Sequence, residues 1–201
     1  MKKHLINKKK DFIKAWFIKK SLCDDLINLF ESSKKLHKPG HVAGGIKKEI
    51  KTSTDLIINL KDINNNKIYS QYISALLEVV KKYIELFPNI NNNMDKWGIT
   101  ENILIQRYYP KEGFYKWHCE RSSFSAVNRL LVFMTYLNDV KDNGETEWMY
   151  QKIKIKPKKG LTVLWPADWM YLHRGITSNT ETKYIITGWF SFINENITLK
   201  K

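Results

Sequence analysis

Ile103-Leu104-Ile105-Gln106-Arg107-Tyr108-Tyr109 opens a half-chain in which short strand-like runs alternate with turn signals. Similar runs occupy residues 130–137, 153–155, 161–165 and 184–192. Between them stand Asp142-Asn143-Gly144 and Pro157-Lys158-Lys159-Gly160. Asn and Gly tolerate positive φ and Pro pre-sets its own, so both segments predict tight turns. Short strands spaced this way in one domain predict a sandwich or barrel.

The N-terminal half has a different period. Ile73, Leu76, Leu77, Val80, Ile84 and Phe87 recur at helical spacing, predicting a helix over residues 69–87 whose stripe packs on a sheet. Pro88 stops it, because proline lacks the N–H that would continue the ladder. Upstream, residues 12–18 form an apolar run expected as an opening strand. Ser21 with Asp24 resembles a capping box for a helix carrying Leu22, Leu26, Leu29 and Phe30 on one face. Pro39-Gly40 and Gly44-Gly45 mark a loop, residues 56–60 a strand and Asn64-Asn65-Asn66 a turn, while residues 89–98 read as a polar, mobile connection. The expectation is one α+β domain: a strand and helix cover over residues 1–98, packed on a mainly β core over residues 99–201.

Composition bounds the function. A chain of 201 residues can bury a full core, and 43% hydrophobic content excludes disorder as its main state. Cys23 and Cys119 are too few for a disulfide framework, which favours a reducing compartment. No apolar run reaches the roughly 18 residues of a membrane span. The basic segment Met1–Lys10 lacks the apolar region of a signal peptide, so a cytoplasmic protein is expected. The net charge of +14 raises nucleic acid as a partner, but the lysines are spread along the chain and read as a solvated surface. An acidic protein partner would suit the same charge. Oligomeric state is not legible.

The chemistry gathers in two segments. The first is Tyr109-Pro110-Lys111-Glu112-Gly113-Phe114-Tyr115-Lys116-Trp117-His118-Cys119-Glu120, and the second is His173-Arg174-Gly175 with Lys183 ten residues later. On a strand, residues i and i+2 leave one face, so His118 and Glu120 can address one object. With His173 they make a two-His-one-carboxylate set, which suits a divalent iron and leaves positions open. Zinc is the competing metal, since three protein ligands and a water also make a catalytic zinc site. Lys183 favours iron weakly, as a fixed cation for an acidic cosubstrate.

Residues 106–192 resemble the catalytic core of iron- and 2-oxoglutarate-dependent dioxygenases of the prolyl 4-hydroxylase-like branch. The motifs that carry this are Arg107-Tyr108-Tyr109-Pro110, His118-Cys119-Glu120, Arg129-Leu130-Leu131, Tyr136-Leu137-Asn138-Asp139 and Gly144-Glu145-Thr146. Pro157-Lys158-Lys159-Gly160, His173-Arg174-Gly175 and Lys183-Tyr184-Ile185-Ile186-Thr187-Gly188-Trp189 continue them. Phage-encoded and marine microbial members are especially similar.

The resemblance implies a double-stranded β-helix, the jelly-roll or cupin-like fold, with N-terminal helices on the sheet. It implies Fe(II) held by His118, Glu120 and His173, with 2-oxoglutarate and O2 as cosubstrates and ascorbate (vitamin C) as an optional addition. Lys183 would pair with the far carboxylate of 2-oxoglutarate, helped by Tyr136, with Thr187 lining the same pocket and Tyr109 near the iron. Arg129 and Trp189 would face the substrate. The implied reaction hydroxylates an unactivated C–H bond while 2-oxoglutarate loses CO2 to become succinate. A proline-containing peptide or protein is the leading substrate. Another amino-acid side chain, a free amino acid, nucleic acid, or an inactive binding module are the alternatives. Glu120 departs from the branch, which usually has Asp there.

Overall fold

The computed structural model describes residues 3–4, 11–42 and 44–193. Apart from the strand Lys3–His4, the basic opening segment lies outside the described residues, as do residues 194–201.

The strands are β1 Lys3–His4, β2 Lys14–Phe17, β3 Lys38–Pro39, β4 Thr54–Ile58, β5 Trp97–Gly98 and β6 Ile103–Tyr108. They continue with β7 Arg129–Tyr136, β8 Thr146–Trp148, β9 Ile153–Ile155, β10 Leu161–Pro166, β11 His173–Gly175 and β12 Lys183–Phe192. The helices are α1 Lys20–Ser32, α2 Lys67–Leu86 and the single turn α3 Asn89–Asn92. A nine-stranded sheet runs β1-β2-β10-β7-β12-β6-β4-β3, with β5 also on β12, and a three-stranded sheet runs β11-β8-β9. Every pairing is antiparallel. This is the jelly-roll architecture, a mainly β core with helices on the large sheet.

Two hydrophobic layers follow from the alternation of strand side chains. Val132, Met134 and Tyr136 of β7 point between the sheets, with Val163 and Trp165 of β10 and Trp148 and Ile155 of the small sheet. Leu131 and Phe133 point the other way, with Ile105 and Ile186, against α1 and α2. The central strands are therefore buried on both faces, which is why they read as continuous apolar runs.

α2 presents Tyr72, Leu76, Val79, Val80 and Tyr83 to the core. The predicted stripe is thus rotated: Leu77 is 50% exposed. Tyr72 and Tyr83 take the core positions because their hydroxyls find partners there, Thr135 Oγ1 at 3.0 Å and the Phe12 carbonyl at 2.9 Å. The helix is capped by Asn66, whose side chain accepts from Ile68 N and Tyr69 N, so the triple-Asn segment is a helix start as well as a turn. Ser21 does not cap α1, which begins one residue earlier with Lys19 at the cap position and no side-chain cap. Residues 89–98 also differ from expectation: they form α3 and β5, tied by Trp97 Nε1 donating to the Ile90 carbonyl at 3.1 Å.

Register sets the site. Across β12 and β6, Lys183 pairs with Tyr108, Ile185 with Gln106 and Thr187 with Leu104. Across β12 and β7, Thr187 pairs with Met134 and Trp189 with Val132. One row of β12 side chains, Lys183, Ile185, Thr187 and Trp189, consequently faces the space between the sheets.

Candidate active site

His118 and Glu120 do not lie on a regular strand. The segment after β6 is irregular and is held to the start of β11 by one isolated bridge, His118 N to the His173 carbonyl at 3.0 Å and His173 N to the His118 carbonyl at 2.8 Å. Glu120 is fixed separately, its N–H donating to the Ala167 carbonyl at 3.1 Å. Backbone pairing at both ends therefore does what a strand was expected to do. Nε2 of His118 and of His173 stand 3.6 and 3.4 Å from Glu120 Oε1, and the ligand atoms of the three residues all lie within 4.8 Å of one another.

The imidazole tautomers follow from their partners. His118 Nδ1 is 2.9 Å from the Lys116 carbonyl, and His173 Nδ1 is 2.9 Å from the Tyr171 carbonyl. A carbonyl only accepts, so each Nδ1 carries a proton and Nε2 is the nitrogen that each ring turns inward. Burial, with His173 alongside, lowers the pKa of His118 and favours the neutral ring. Burial opposes ionisation of Glu120, but hydrogen bonds and charge from the two imidazoles in their protonated form outweigh this and hold its carboxyl well below the usual range. With the rings neutral, two nitrogen lone pairs and a carboxylate oxygen converge on one point. Only a proton or a cation satisfies such a set, and its N,N,O composition fits a divalent first-row metal.

Ring packing immobilises the imidazoles. Phe114 stacks on His118 with centroids 3.5 Å apart and planes 8° from parallel. Trp165 meets His173 edge-on at 5.1 Å. Glu120 is held through its other oxygen: Trp189 Nε1 donates to Oε2 at 2.9 Å, and Arg129 Nη1 lies 3.6 Å from it.

The three residues line a cavity shared with Lys183, Thr187 and Trp189. Lys183 is buried at 5% exposure and donates to the Gly144 carbonyl at 3.0 Å and the Ile176 carbonyl at 3.4 Å. Both acceptors are neutral. Burial depresses its pKa to about 8, against a smaller opposing effect of Glu145. Gly144 stands at φ 81° after Asn143 at φ 55°, a left-handed pair that supports the turn and aims its carbonyl inward. A desolvated cation with neutral partners is a receptor for a carboxylate.

Three expected site residues sit differently. Tyr109 is 48% exposed, carries the Arg107 guanidinium 4.2 Å from its ring centroid, and does not line the cavity. Tyr108 does, because alternation along β6 sends Leu104, Gln106 and Tyr108 inward. Tyr136 points between the sheets but lies behind Thr146: its hydroxyl is 2.7 Å from Thr146 Oγ1 and 3.1 Å from the Ile155 carbonyl oxygen. Arg129 is engaged inside the protein, by Glu101 and Glu120, and stacks 3.7 Å from the Trp189 ring centroid. Thr187 lines the cavity while its hydroxyl donates to the Phe133 carbonyl at 2.9 Å.

A buried polar chain also reaches the cavity. Tyr108 donates to Gln106 Oε1 at 2.8 Å, Gln106 Nε2 donates to Asp55 Oδ2 at 3.0 Å, and Lys51 Nζ and Ser53 Oγ complete the Asp55 carboxylate at 2.8 and 2.7 Å. Period-two inspection of residues 104–108 points to Gln106 and Tyr108. Nothing local marks Lys51, Ser53 or Asp55, which meet Gln106 only through the β4–β6 register.

Residues 103–191 match the family model of the 2OG-Fe(II) oxygenase superfamily. The match covers 89 of the 201 residues, and the fold around it is prolyl 4-hydroxylase-like. Members of that superfamily use Fe(II), 2-oxoglutarate and O2. Among solved structures, the chain is similar to a prolyl-4-hydroxylase of Pseudomonas putida (TM-score 0.71, 15% identity, 90% of this chain and 94% of that one). It is similar to a prolyl hydroxylase of Trichoplax adhaerens in complex with a hypoxia inducible factor peptide fragment (0.70, 18%, 96% and 89%). It is also similar to the viral collagen prolyl hydroxylase of Paramecium Bursaria Chlorella virus-1, in its 2OG complex (0.66, 20%, 94% and 100%). No curated protein sequence matches the chain. No helix among the described residues is long and apolar enough to cross a membrane.

Proposed function

We propose that the chain hydroxylates an unactivated C–H bond of a peptidyl proline, with His118, Glu120 and His173 holding Fe(II) and Lys183 holding the far carboxylate of 2-oxoglutarate. The observation that carries this reading is the cavity itself: three converging metal-type donors and a buried lysine line the same space. Bound together, the iron and 2-oxoglutarate supply the oxidising chemistry, in which O2 is consumed and CO2 and succinate are released.

The protein's part is position and environment. The Nδ1 hydrogen bonds fix which nitrogen each imidazole offers. Lys183 attracts and orients the dicarboxylate by charge, in a setting where little water competes. Tyr108 keeps its proton, since burial and the nearby Asp55 raise its pKa well above the ordinary phenol value, so it remains the donor to Gln106 Oε1 that fixes the phenol ring beside Lys183. Phe114, Trp165 and Met134 present apolar walls that limit water near the reacting carbon. The prolyl assignment is supported by the similar structures, among them one solved with a peptide fragment.

Anaerobic titration with Fe(II) and then 2-oxoglutarate tests the site. A weak visible charge-transfer band is expected, and it should vanish in His173→Ala. Aerobic incubation with proline-containing peptides should then yield a one-oxygen mass gain coupled to succinate. Succinate formation without hydroxylated proline on any such peptide would retain the dioxygenase and reject the prolyl substrate.

A further inference from the structure

We propose that Trp189 and Arg129 are positioning residues that set the reach of the Glu120 side chain, anchoring one carboxylate oxygen so that the other meets the two imidazoles. This rests on the ligand reading above and adds to it.

Three observations carry the inference. The two oxygens of Glu120 have separate tasks: Oε2 accepts from the Trp189 indole at 2.9 Å and faces Arg129 Nη1 at 3.6 Å, while Oε1 alone faces the imidazoles at 3.6 and 3.4 Å. The anchor is itself anchored. Arg129 donates through Nε and Nη2 to the two oxygens of Glu101 at 2.9 and 2.5 Å, and through Nη1 to the Glu120 carbonyl at 3.2 Å. Its guanidinium carbon sits 3.7 Å from the Trp189 ring centroid, so arginine and tryptophan hold each other. Finally, the charges balance usefully: Glu101 offsets Arg129, which leaves the negative charge of Glu120 available to a cation.

A glutamate has one more rotatable bond than an aspartate and so more freedom to lose on binding a metal. Fixing Oε2 in advance removes that cost and also fixes the distance at which Oε1 is offered. The indole N–H is the component that a merely space-filling tryptophan would not need. Glu120→Asp would draw the carboxylate back by a methylene and lose the indole bond, so in that background the indole should have no further effect.

Mn(II), with free ion counted by electron paramagnetic resonance, is the probe for wild type, Trp189→Phe, Arg129→Lys, Glu120→Asp and the double variant Glu120→Asp/Trp189→Phe. Trp189→Phe should weaken Mn(II) binding about tenfold, in the range known for residues behind metal ligands. The thermal midpoint of its metal-free form should match wild type. The double variant should bind no more weakly than Glu120→Asp alone. Wild-type affinity in Trp189→Phe, or losses that multiply in the double variant, would overturn the proposal. If Trp189→Phe does not fold, Arg129→Lys gives the same reading, since a lysine keeps charge but loses the fork and the stack. His173→Ala separates this inference from the one beneath it. Undiminished Mn(II) binding there rejects the ligand set, whereas its loss there beside wild-type binding in Trp189→Phe rejects only the positioning role.

Discussion

Lys183 and Tyr108 face each other across β12 and β6, with the ammonium 5.1 Å from the centroid of the phenol ring. Strand register alone brings them together, 75 residues apart in the chain, at the end of the cavity away from Trp189. In the proposed function this pair marks the cosubstrate end, an assignment open to direct test.

Replacing Lys183 by Met should raise the KM for 2-oxoglutarate by about 10- to 100-fold, the cost of a carboxylate losing a charged hydrogen-bond partner. The KM for peptide should move much less. Steady-state kinetics with both substrates varied distinguishes the two, and an unchanged 2-oxoglutarate KM would place that carboxylate elsewhere.

The same lysine predicts a pH dependence. Its pKa is about 8 in the folded protein and near the ordinary lysine value when unfolded. Between those values the unfolded chain binds the extra proton, so this group contributes stability that rises with pH through the window. Its burial penalty is fully present below pH 8. Urea unfolding of the metal- and cosubstrate-free protein should show wild type gaining on Lys183→Met between pH 8 and 10. 2-Oxoglutarate affinity should fall over the same range, because the neutral amine attracts no carboxylate. Parallel pH profiles for the two proteins would rule out this account of Lys183.

Tyr108→Phe and Tyr109→Phe should separate cleanly. The first leaves Gln106 Oε1 buried without its donor and should cost about 1–3 kcal/mol of stability while raising the 2-oxoglutarate KM. The second alters an exposed ring and should stay within about 0.5 kcal/mol. Chemical denaturation of both variants checks it, and the reverse order would contradict the inward parity of β6.

Lys51→Met removes one partner of a buried ion pair and leaves Asp55 to Ser53 and Gln106. A loss of about 3–5 kcal/mol is expected. The double variant Lys51→Met/Asp55→Leu should recover part of it, and a neutral single substitution would mean that Asp55 is already satisfied without the lysine.

Much of this was legible beforehand where signals are local. The turn at Asn143-Gly144, the stop at Pro88 and the alternation of runs and turns need only neighbours to be read, while His118, Glu120, His173 and Lys183 stand out through the order of motifs in two separated segments. What failed required distant partners. The face that α2 buries brings two tyrosine hydroxyls to hydrogen-bond partners on Phe12 and Thr135, which counting aliphatic side chains does not reveal. The choice between Tyr108 and Tyr109 depends on which face of β6 meets β12. Arg129, which the resemblance implies would face the substrate, is instead engaged by Glu101 and Glu120, partners that only the fold brings to it.

Trp165 and Trp148 pack with ring centroids 5.1 and 6.1 Å from that of His173, and Trp189 donates directly to Glu120. Three of the seven tryptophans therefore touch the metal-type donors. A paramagnetic ion held there would quench their emission at short range. On the proposed metal site, these indoles would make an intrinsic fluorescent gauge of occupancy, readable without label or dye.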